Sequence, residues 1–257
     1  MNETFSISDE NIQKLTDISI NYSKTISNII EEIKKNIVGQ DDVIKKIIIS
    51  IISDGHVLLE SVPGLAKTLM IKTMADIFSV NNVRIQFTPD LLPADILGTK
   101  IYKNNSETFE IQKGPIFHNF VLADEINRAP PKVQSALLES MQEKQVSIHG
   151  ETFQLEKPFL VLATQNPIEH EGTYKLPEAQ IDRFALKILI GYPTKEEEIE
   201  IIERNTSNLE IKVNPIIKSK EIIEIQKFNE KIYADKIILK YVASIIDATR
   251  DPKKYEL

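Results

Sequence analysis

One stretch of sequence, SVPGLAKT at residues 61–68, decides the fold of this chain. It follows a short apolar run at residues 56–59 and precedes a segment with helical spacing. A strand, a tight loop and a helix N-terminus in this order are typical of a phosphate-binding loop. In such a loop Lys67 would reach the β- and γ-phosphates, and the Thr68 hydroxyl would ligate Mg²⁺. An ordinary strand–turn–helix has the same outline, so further signals are needed.

Two residues of this loop depart from the strict phosphate-loop pattern. Ser61 and Ala66 stand where glycines are expected, whereas Gly64 is present in the middle, where the backbone approaches the phosphates. We expect Ala66 to adopt the dihedral angles of a helix start without strain. Ser61 fits less well if the turn needs a positive φ at this residue.

Apolar runs recur along the chain and predict a parallel sheet. Segments with helical character, notably residues 68–77 and 131–143, separate several of the runs, which favours an α/β fold with crossover connections and five mostly parallel strands. Two segments interrupt the alternation, a long one at 90–118 and one at 146–155 that predicts a hairpin. The five strand candidates are residues 56–59, 83–87, 120–123, 159–163 and 185–190.

Polar residues follow two of these strands, at the carboxyl ends where ligands bind in open α/β sheets, and an arginine precedes a third. Asp124 and Glu125 directly follow the strand at 120–123. Two acids at this point suit two roles: Asp124 would bind Mg²⁺, and Glu125 would activate the attacking water. Asn166 follows the next strand and could hold that water. Arg183, directly before the last strand, could stabilise transition-state charge in a neighbouring subunit, or form a local ion pair with an adjacent acid.

Composition excludes several classes of protein. The 257 residues, 42% hydrophobic and 27% charged, are typical of a globular protein of one large or two moderate domains. The chain has no cysteine, which excludes disulfides and thiolate chemistry. A net charge of −7, with basic runs of no more than two residues, argues against a nucleic-acid partner. No apolar run reaches the ~18–20 residues that span a bilayer, and the polar N-terminus is unlike a secretory signal, so we expect a cytoplasmic protein without a transmembrane segment.

The motifs resemble those of the MoxR family of AAA+ ATPases over nearly the whole chain, about residues 37–250. Residues 122–139, LADEINRAPPKVQSALLE, are similar to the family signature almost residue for residue. The same holds for ATQNPIE at 163–169, EGTY at 171–174 and LPEAQIDRF at 176–184. The resemblance implies an AAA+ P-loop fold that binds ATP and Mg²⁺.

The resemblance also implies a role for each matching residue. Lys67 and Thr68 correspond to Walker A, Asp124 and Glu125 to Walker B, Asn166 to sensor 1 and Arg183 to the arginine finger, so that Glu125, Lys67, Asn166 and Arg183 would be catalytic and Thr68 and Asp124 would bind the metal. The implied nucleotide contacts are Val38, Gly39, Pro63, Gly64, Leu65, Ala66, Lys67, Thr68 and Leu69.

Three parts are expected from the resemblance and from a change of composition at Pro193. Residues 1–36 would be an N-terminal helical extension. Residues 37–192 would be the nucleotide-binding core, with a helix-2 insert at about 91–117 and a pre-sensor-1 hairpin at about 146–155. Residues 193–257 would be a small all-α lid, truncated before the arginine-bearing sensor 2 motif of the family.

The function implied is that of an ATP-driven remodeller. A homo-oligomer, expected to be a hexameric ring, would hydrolyse ATP at subunit interfaces and act through its inserts on a protein client, often with a companion protein that has a von Willebrand factor A domain. An alternative is an ATP-binding switch with negligible turnover, motivated by Ser61 and the missing sensor 2. A DNA-directed motor and a chelatase-type motor are further alternatives from related AAA+ clades.

Overall fold

The computed structural model describes residues 9–62, 64–104, 107–167, 173–206 and 211–255. A five-stranded sheet with the order β2-β5-β8-β1-β9 and parallel pairing throughout forms its centre. The described strands are β1 (Val57–Ser61), β2 (Asn82–Gln86), β3 (Gly98–Lys103), β4 (Thr108–Lys113), β5 (Phe120–Asp124), β6 (Gln145–Ile148), β7 (Glu151–Gln154), β8 (Leu160–Gln165) and β9 (Leu186–Ile190). The predicted α/β fold with a five-stranded sheet is confirmed.

Helices cover both faces of the sheet, as the crossover connections of parallel strands require. The described α-helices are α1 (Asp9–Asn36), α2 (Asp41–Ile52), α3 (Lys67–Ile77), α4 (Pro93–Leu97), α5 (Pro131–Glu143), α6 (Glu178–Ile181), α7 (Lys195–Thr206), α8 (Ser219–Asn229) and α9 (Lys236–Arg250). The predicted helices at 68–77 and 131–143 are α3 and α5.

Alternation of side chains along the strands divides the core into two layers. In β1, Val57 and Leu59 pack with α1, α2 and α3, whereas Leu58 faces the opposite layer, which contains α4 and α5. Such fully buried strands need apolar side chains on both faces, which explains their unbroken apolar runs. The carboxyl ends of β1, β5 and β8 therefore meet at one edge, flanked by α3 on one side and α5 on the other.

Both interruptions of the strand–helix alternation contain antiparallel hairpins. The segment at 90–118 holds α4 and the β3–β4 hairpin, and the predicted hairpin at 146–155 is β6–β7. Lys100 of the first and Glu151 of the second form an ion pair at 3.6 Å. The two hairpins therefore approach each other at this point.

Two contact units divide the chain, residues 1–226 and residues 227–257. Within the first, α1 packs on α3 and buries Ile29 and Ile33 in the core. Helix α7 begins after Thr194, whose hydroxyl accepts a hydrogen bond from the Glu197 backbone N–H at 3.3 Å, while the Glu197 carboxylate accepts one from the Thr194 N–H at 2.8 Å. The predicted boundaries at residues 36 and 192 stay predictions. Within the described ranges, no helix is both long and apolar enough to cross a membrane.

Candidate active site

The loop between β1 and α3 turns sharply, and two of its residues have a left-handed backbone. Gly64 has φ +87° and Ala66 has φ +49°. The expectation that Ala66 enters the helix without strain is wrong, because the short connection from β1 into Lys67 requires a left-handed residue there. Such a conformation costs a non-glycine residue about 1–2 kcal/mol. Ser61 instead lies within β1, where extended backbone suits any residue.

Lys67 contacts its own loop. Its ammonium donates hydrogen bonds to Ser61 Oγ at 2.9 Å and to the Val62 carbonyl at 3.1 Å. Burial lowers the pKa of Lys67, while the charges of Asp124 and Glu125 act in the opposite direction. The serine that departs from the phosphate-loop pattern therefore provides an acceptor for this lysine.

A cavity of about 350 Å³ lies beside the loop. It is lined by Val38 of the linker before α2, by residues 64–66 and Leu69 of the loop and α3, and by Arg204 of α7. Gly39 follows Val38 with φ +65°, a conformation that favours glycine, and an added Cβ would lie 2.5 Å from the Glu197 carboxylate, so the Glu197 side chain would have to shift.

The residues expected to contact a nucleotide are thus partly brought together. Val38, Gly64, Leu65, Ala66 and Leu69 line this one cavity. Lys67 and Thr68 follow directly at the start of α3, and Thr68 is exposed. Pro63 lies outside the described residues.

A single buried threonine connects the two acids at the end of β5. Thr164 of β8 donates from its hydroxyl to Asp124 Oδ1 at 2.6 Å and accepts from the Glu125 N–H at 2.9 Å. Glu125 has φ +58° and ψ +49°, a left-handed conformation that is uncommon outside glycine and is often found at functional sites. The threonine satisfies the amide that this turn exposes.

Strand β2 supplies two more contacts to the acids. Arg84 donates to Asp124 Oδ2 from Nε at 3.1 Å and from Nη2 at 2.7 Å. Gln86 donates from Nε2 to Glu125 Oε2 at 2.8 Å, and Arg128 Nε lies 3.0 Å from the same oxygen. Ion pairs with a half-exposed partner stabilise a fold by about 0–1 kcal/mol. The contacts therefore matter more for orienting the carboxylates than for stability.

Sequence reasoning missed Arg84, Gln86 and Thr164. The sequence does contain a sign of Arg84 and Gln86, because they are the two polar residues of an otherwise apolar run. Alternate residues of a strand point to the same side of the sheet, so these two side chains lie together. Their partners depend on the register, in which Gln86 lies opposite Asp124. Arg128, three residues after Glu125 in the sequence, forms a local ion pair with it.

Asn166 and Arg183 occupy different surroundings. Asn166 is buried at the end of β8 and lines a cavity of about 290 Å³. Arg183 is exposed, and its side chain makes no ion pair or hydrogen bond with any residue that the structure describes. The local ion pair with Asp182 or Glu178 is therefore not found.

The predicted metal ligands are chemically suited to Mg²⁺. Asp124 offers a carboxylate and Thr68 a hydroxyl, and this hard ion is usually bound by one or two protein oxygens together with water and phosphate oxygens. Within the described part of the chain, no group of three or more His, Asp or Glu side chains could form a metal site by itself. Both Asp124 oxygens already accept hydrogen bonds, from Thr164 and from Arg84, so a metal or its water must share them.

Comparison with known proteins adds independent information. The family described as "ATPase family associated with various cellular activities (AAA)" matches residues 56–186. The chain is 50% identical to Chaperone MoxR1 of Mycobacterium tuberculosis over 90% of its own length and 61% of that protein. It is 44% identical to protein YeaC of Bacillus subtilis over 89% of its length and 72% of that protein.

A solved structure agrees with the sequence comparisons. A crystal structure from Cytophaga hutchinsonii, assigned as an ATPase, superposes with a TM-score of 0.86 at 48% identity. The alignment covers 96% of this chain and 75% of that one. The chain spans about three fifths of the length of the mycobacterial relative.

Proposed function

This chain belongs to the MoxR family of AAA+ ATPases, and from that premise we propose that it binds Mg·ATP at the carboxyl edge of its sheet and hydrolyses it. The single observation that carries the proposal is the pair of Asp124 and Glu125, held by Thr164 at this edge and electrostatically coupled to Lys67 of the loop. An oriented base such as Glu125 is needed for hydrolysis and not for binding alone.

Binding would use the cavity and the loop together. The cavity of about 350 Å³ falls within the range of small-molecule sites, and its apolar lining of Val38, Leu65 and Leu69 suits a flat base. Backbone N–H groups at the start of α3 would hold the phosphates. The Lys67 ammonium would exchange its contacts with Ser61 and Val62 for phosphate oxygens.

The two acids would have different roles in hydrolysis. When bound, Mg²⁺ would neutralise charge on the β- and γ-phosphates, and Thr68 and Asp124 are the residues that would hold it. Glu125 would orient the attacking water and accept its proton, with Asn166 fixing the water from the adjacent strand. The pair of contacts from Gln86 and Arg128 would set the direction of the Glu125 carboxylate.

The complete site would be formed between subunits. Arg183 is exposed, and its side chain makes no hydrogen bond or ion pair among the described residues, which supports a role in the site of a neighbouring copy. We propose a homo-oligomer of AAA+ type, expected to be a hexameric ring.

Mixing Arg183→Ala protein with Lys67→Ala protein would restore phosphate release. The first variant would contribute the Lys67 ammonium and the second the Arg183 guanidinium, so that a complete site could form between two subunits.

The wider role would be chaperone-like. The name of the relative Chaperone MoxR1 supports a chaperone role. We propose that this role is the remodelling or maturation of a protein client in the cytoplasm. The β3–β4 and β6–β7 hairpins are joined by the Lys100–Glu151 ion pair. We propose that these hairpins contact the client and transmit to it the conformational change that ATP hydrolysis drives. A companion protein with a von Willebrand factor A domain is part of this proposal.

The direct test measures nucleotide binding and phosphate release on the same preparation. A fluorescent ATP analogue should bind in the presence of Mg²⁺, and phosphate should be released from ATP under the same conditions. Binding without phosphate release would instead favour the nucleotide-binding switch. No binding of either ATP or ADP would contradict both functions.

A further inference from the structure

The cavity of about 290 Å³ that Asn166 lines, called here the β1–β8 cavity, is separate from the cavity beside the loop. Glu60 of β1 and Gln165 of β8 both line it, and they lie opposite each other in the register of the sheet. Alternation along β1 places Glu60 on the same face as Leu58, in the layer that contains α4 and α5. The two cavities share none of their described lining residues.

A buried amide oxygen in the β1–β8 cavity has no partner. Asn127 is 8% exposed, and its Oδ1 accepts no hydrogen bond from any residue that the structure describes. The Asn127 carbonyl accepts from the Tyr174 N–H at 2.6 Å, which fixes the main chain at this point. Because an unsatisfied buried acceptor destabilises a fold, a ligand that donates a hydrogen bond here would be stabilised.

Two further acceptors line the same cavity. Glu60 Oε1 accepts from Gln165 Nε2 and, at 2.6 Å, from the Lys187 ammonium, which is 44% exposed and does not line the cavity. Among the described residues nothing donates to Glu60 Oε2 or to Gln165 Oε1. Together with Asn127 Oδ1 these make three acceptors, one of them a carboxylate oxygen. An ammonium group has three N–H donors and no acceptor, so it matches this set.

The rest of the lining has a different character. Lys175 is exposed, and in the part of the chain that the structure describes it forms no ion pair. Its ammonium is therefore available to a carboxylate. Leu176 and Ile181 belong to the apolar layer under the sheet and supply an apolar surface to the cavity. A ligand that complements the whole lining has an ammonium, a carboxylate and an apolar group.

We propose that the β1–β8 cavity binds a free α-amino acid with an apolar side chain. The three acceptors take its ammonium, Lys175 takes its carboxylate, and its side chain packs against Leu176 and Ile181. The cavity is slightly smaller than the sites that hold drug-sized molecules, which suits a ligand of this size.

A bound amino acid would also lie beside Asn166, which lines the same cavity. Asn166 is the residue proposed to hold the attacking water, so occupancy of the β1–β8 cavity should lower the rate of phosphate release. This consequence rests on the proposed function, whereas the binding of the amino acid does not.

The first test is calorimetric titration of the full chain with L-leucine in the absence of nucleotide. Saturable binding is expected. N-acetyl-L-leucine lacks the ammonium and L-leucine methyl ester lacks the carboxylate, so each should bind about tenfold more weakly or worse. No saturable binding of L-leucine up to about 10 mM, or equal binding of all three compounds, overturns the proposal.

Substitutions test which residues form the site. Asn127→Leu removes the unpaired acceptor and breaks no side-chain hydrogen bond with a described residue, so the protein should fold and its dissociation constant for L-leucine should rise about tenfold. Lys175→Met should also weaken binding. Lys187→Met is the matched control, because it removes a charge next to Glu60 from outside the cavity, and it should not weaken binding. Wild-type affinity in Asn127→Leu contradicts the proposal.

Phosphate release separates this inference from the proposed function. Saturating L-leucine should lower the rate in wild-type protein by about twofold or more, with the affinity for a fluorescent ATP analogue unchanged. An unchanged rate would contradict the contact with Asn166. Protein that hydrolyses ATP but binds no L-leucine overturns this inference alone, whereas protein that binds L-leucine but releases no phosphate contradicts only the proposed function.

Discussion

The loop between β1 and α3 and the acid pair at the end of β5 lie at the same edge of the sheet but are held in different ways. The side-chain hydrogen bonds of Lys67, in the described part of the loop and the start of α3, lie within its own segment. An added Cβ on Gly64 would meet open space, Thr68 is exposed, and Lys67 donates its hydrogen bonds to Ser61 and Val62 of its own segment. Its shape is set by its own backbone, so it can adapt to a ligand.

The acid pair is fixed by side chains from other elements. Arg84 and Gln86 come from β2, Thr164 comes from β8, and Arg128 comes from the turn that follows the acids. A carboxylate oriented before substrate arrives needs no reorganisation during the reaction. From this difference we expect substitutions in the loop to weaken nucleotide binding. Substitutions around the acids should instead lower the rate of phosphate release or the free energy of unfolding.

The largest effect should come from substituting one residue of each region. Glu125→Gln keeps the shape of the side chain but removes the base, so phosphate release should fall by about 100-fold or more while nucleotide binding is retained. Lys67→Ala should lose nucleotide binding itself. Turnover and binding are measured on both proteins, and unchanged turnover in Glu125→Gln would refute the role of the base.

Thr164→Val tests how firmly the acid region is held. The substitution leaves Asp124 Oδ1 and the Glu125 N–H without the shared hydroxyl, and unsatisfied buried groups cost about 1–3 kcal/mol each. The free energy of unfolding should fall by about 3 kcal/mol in denaturant titrations. Thr152→Val is the matched control, since among the described residues the hydrogen bond of this exposed hydroxyl is with Ser147, and it should change stability little. Equal stability of both variants would contradict the account.

His56 extends the comparison to the opposite end of β8. Its Nδ1 accepts from the Val161 N–H at 3.0 Å, and Nε2 lies 3.2 Å from the Met141 carbonyl, so the neutral ring ties β8 to α5. Burial lowers the pKa of His56 from 6.5 to about 4. Because the folded pKa is below the unfolded one, this stabilisation is present above pH 6.5 and is lost as the pH falls towards 4.

The measurement for His56 is the free energy of unfolding as a function of pH. Between pH 7 and pH 5 it should fall by about 2 kcal/mol from this residue. His56→Gln supplies one acceptor and one donor without titrating, so its profile over this range should be flatter than that of wild type. His149→Gln, in an exposed turn, should keep the wild-type profile. Parallel profiles for His56→Gln and wild type would show that another group titrates.

The smallest effect is expected in the loop, at Ala66. Its φ of +49° is unfavourable for alanine, so Ala66→Gly should raise the free energy of unfolding by at most about 1 kcal/mol. Ala136→Gly in the interior of α5 is the control, and it should lower stability by about 1 kcal/mol because glycine disfavours helix. Opposite signs for the two alanines are the expected result. A loss of stability in both would indicate that Ala66 carries no strain.

Local pattern was sufficient to predict the sheet and the location of the acids. The apolar runs mark all five strands, and Asp124 and Glu125 follow one of them directly in sequence. The contacts of Arg84 and Gln86 could not be predicted in the same way. They depend on β2 lying beside β5 with Gln86 opposite Asp124, and this order and register arise from packing across the whole sheet.

The conformation of Ala66 was missed for a related reason. A single residue type leaves several dihedral regions open, and the left-handed one is selected here by the short distance between the end of β1 and the start of α3. Thr164 was likewise visible in sequence only as a residue two positions before Asn166. Its role follows from the pairing of β8 with β5, which places the hydroxyl between the two acids.

The central claim is that Mg·ATP is hydrolysed at sites completed by a neighbouring subunit. The most direct measurement is phosphate release per protein molecule over a wide range of protein concentration, with Arg183→Ala as the comparison. The account predicts that specific activity climbs with concentration in the wild type and stays near background in Arg183→Ala. Specific activity that is independent of concentration, or an Arg183→Ala protein as active as wild type, would contradict it.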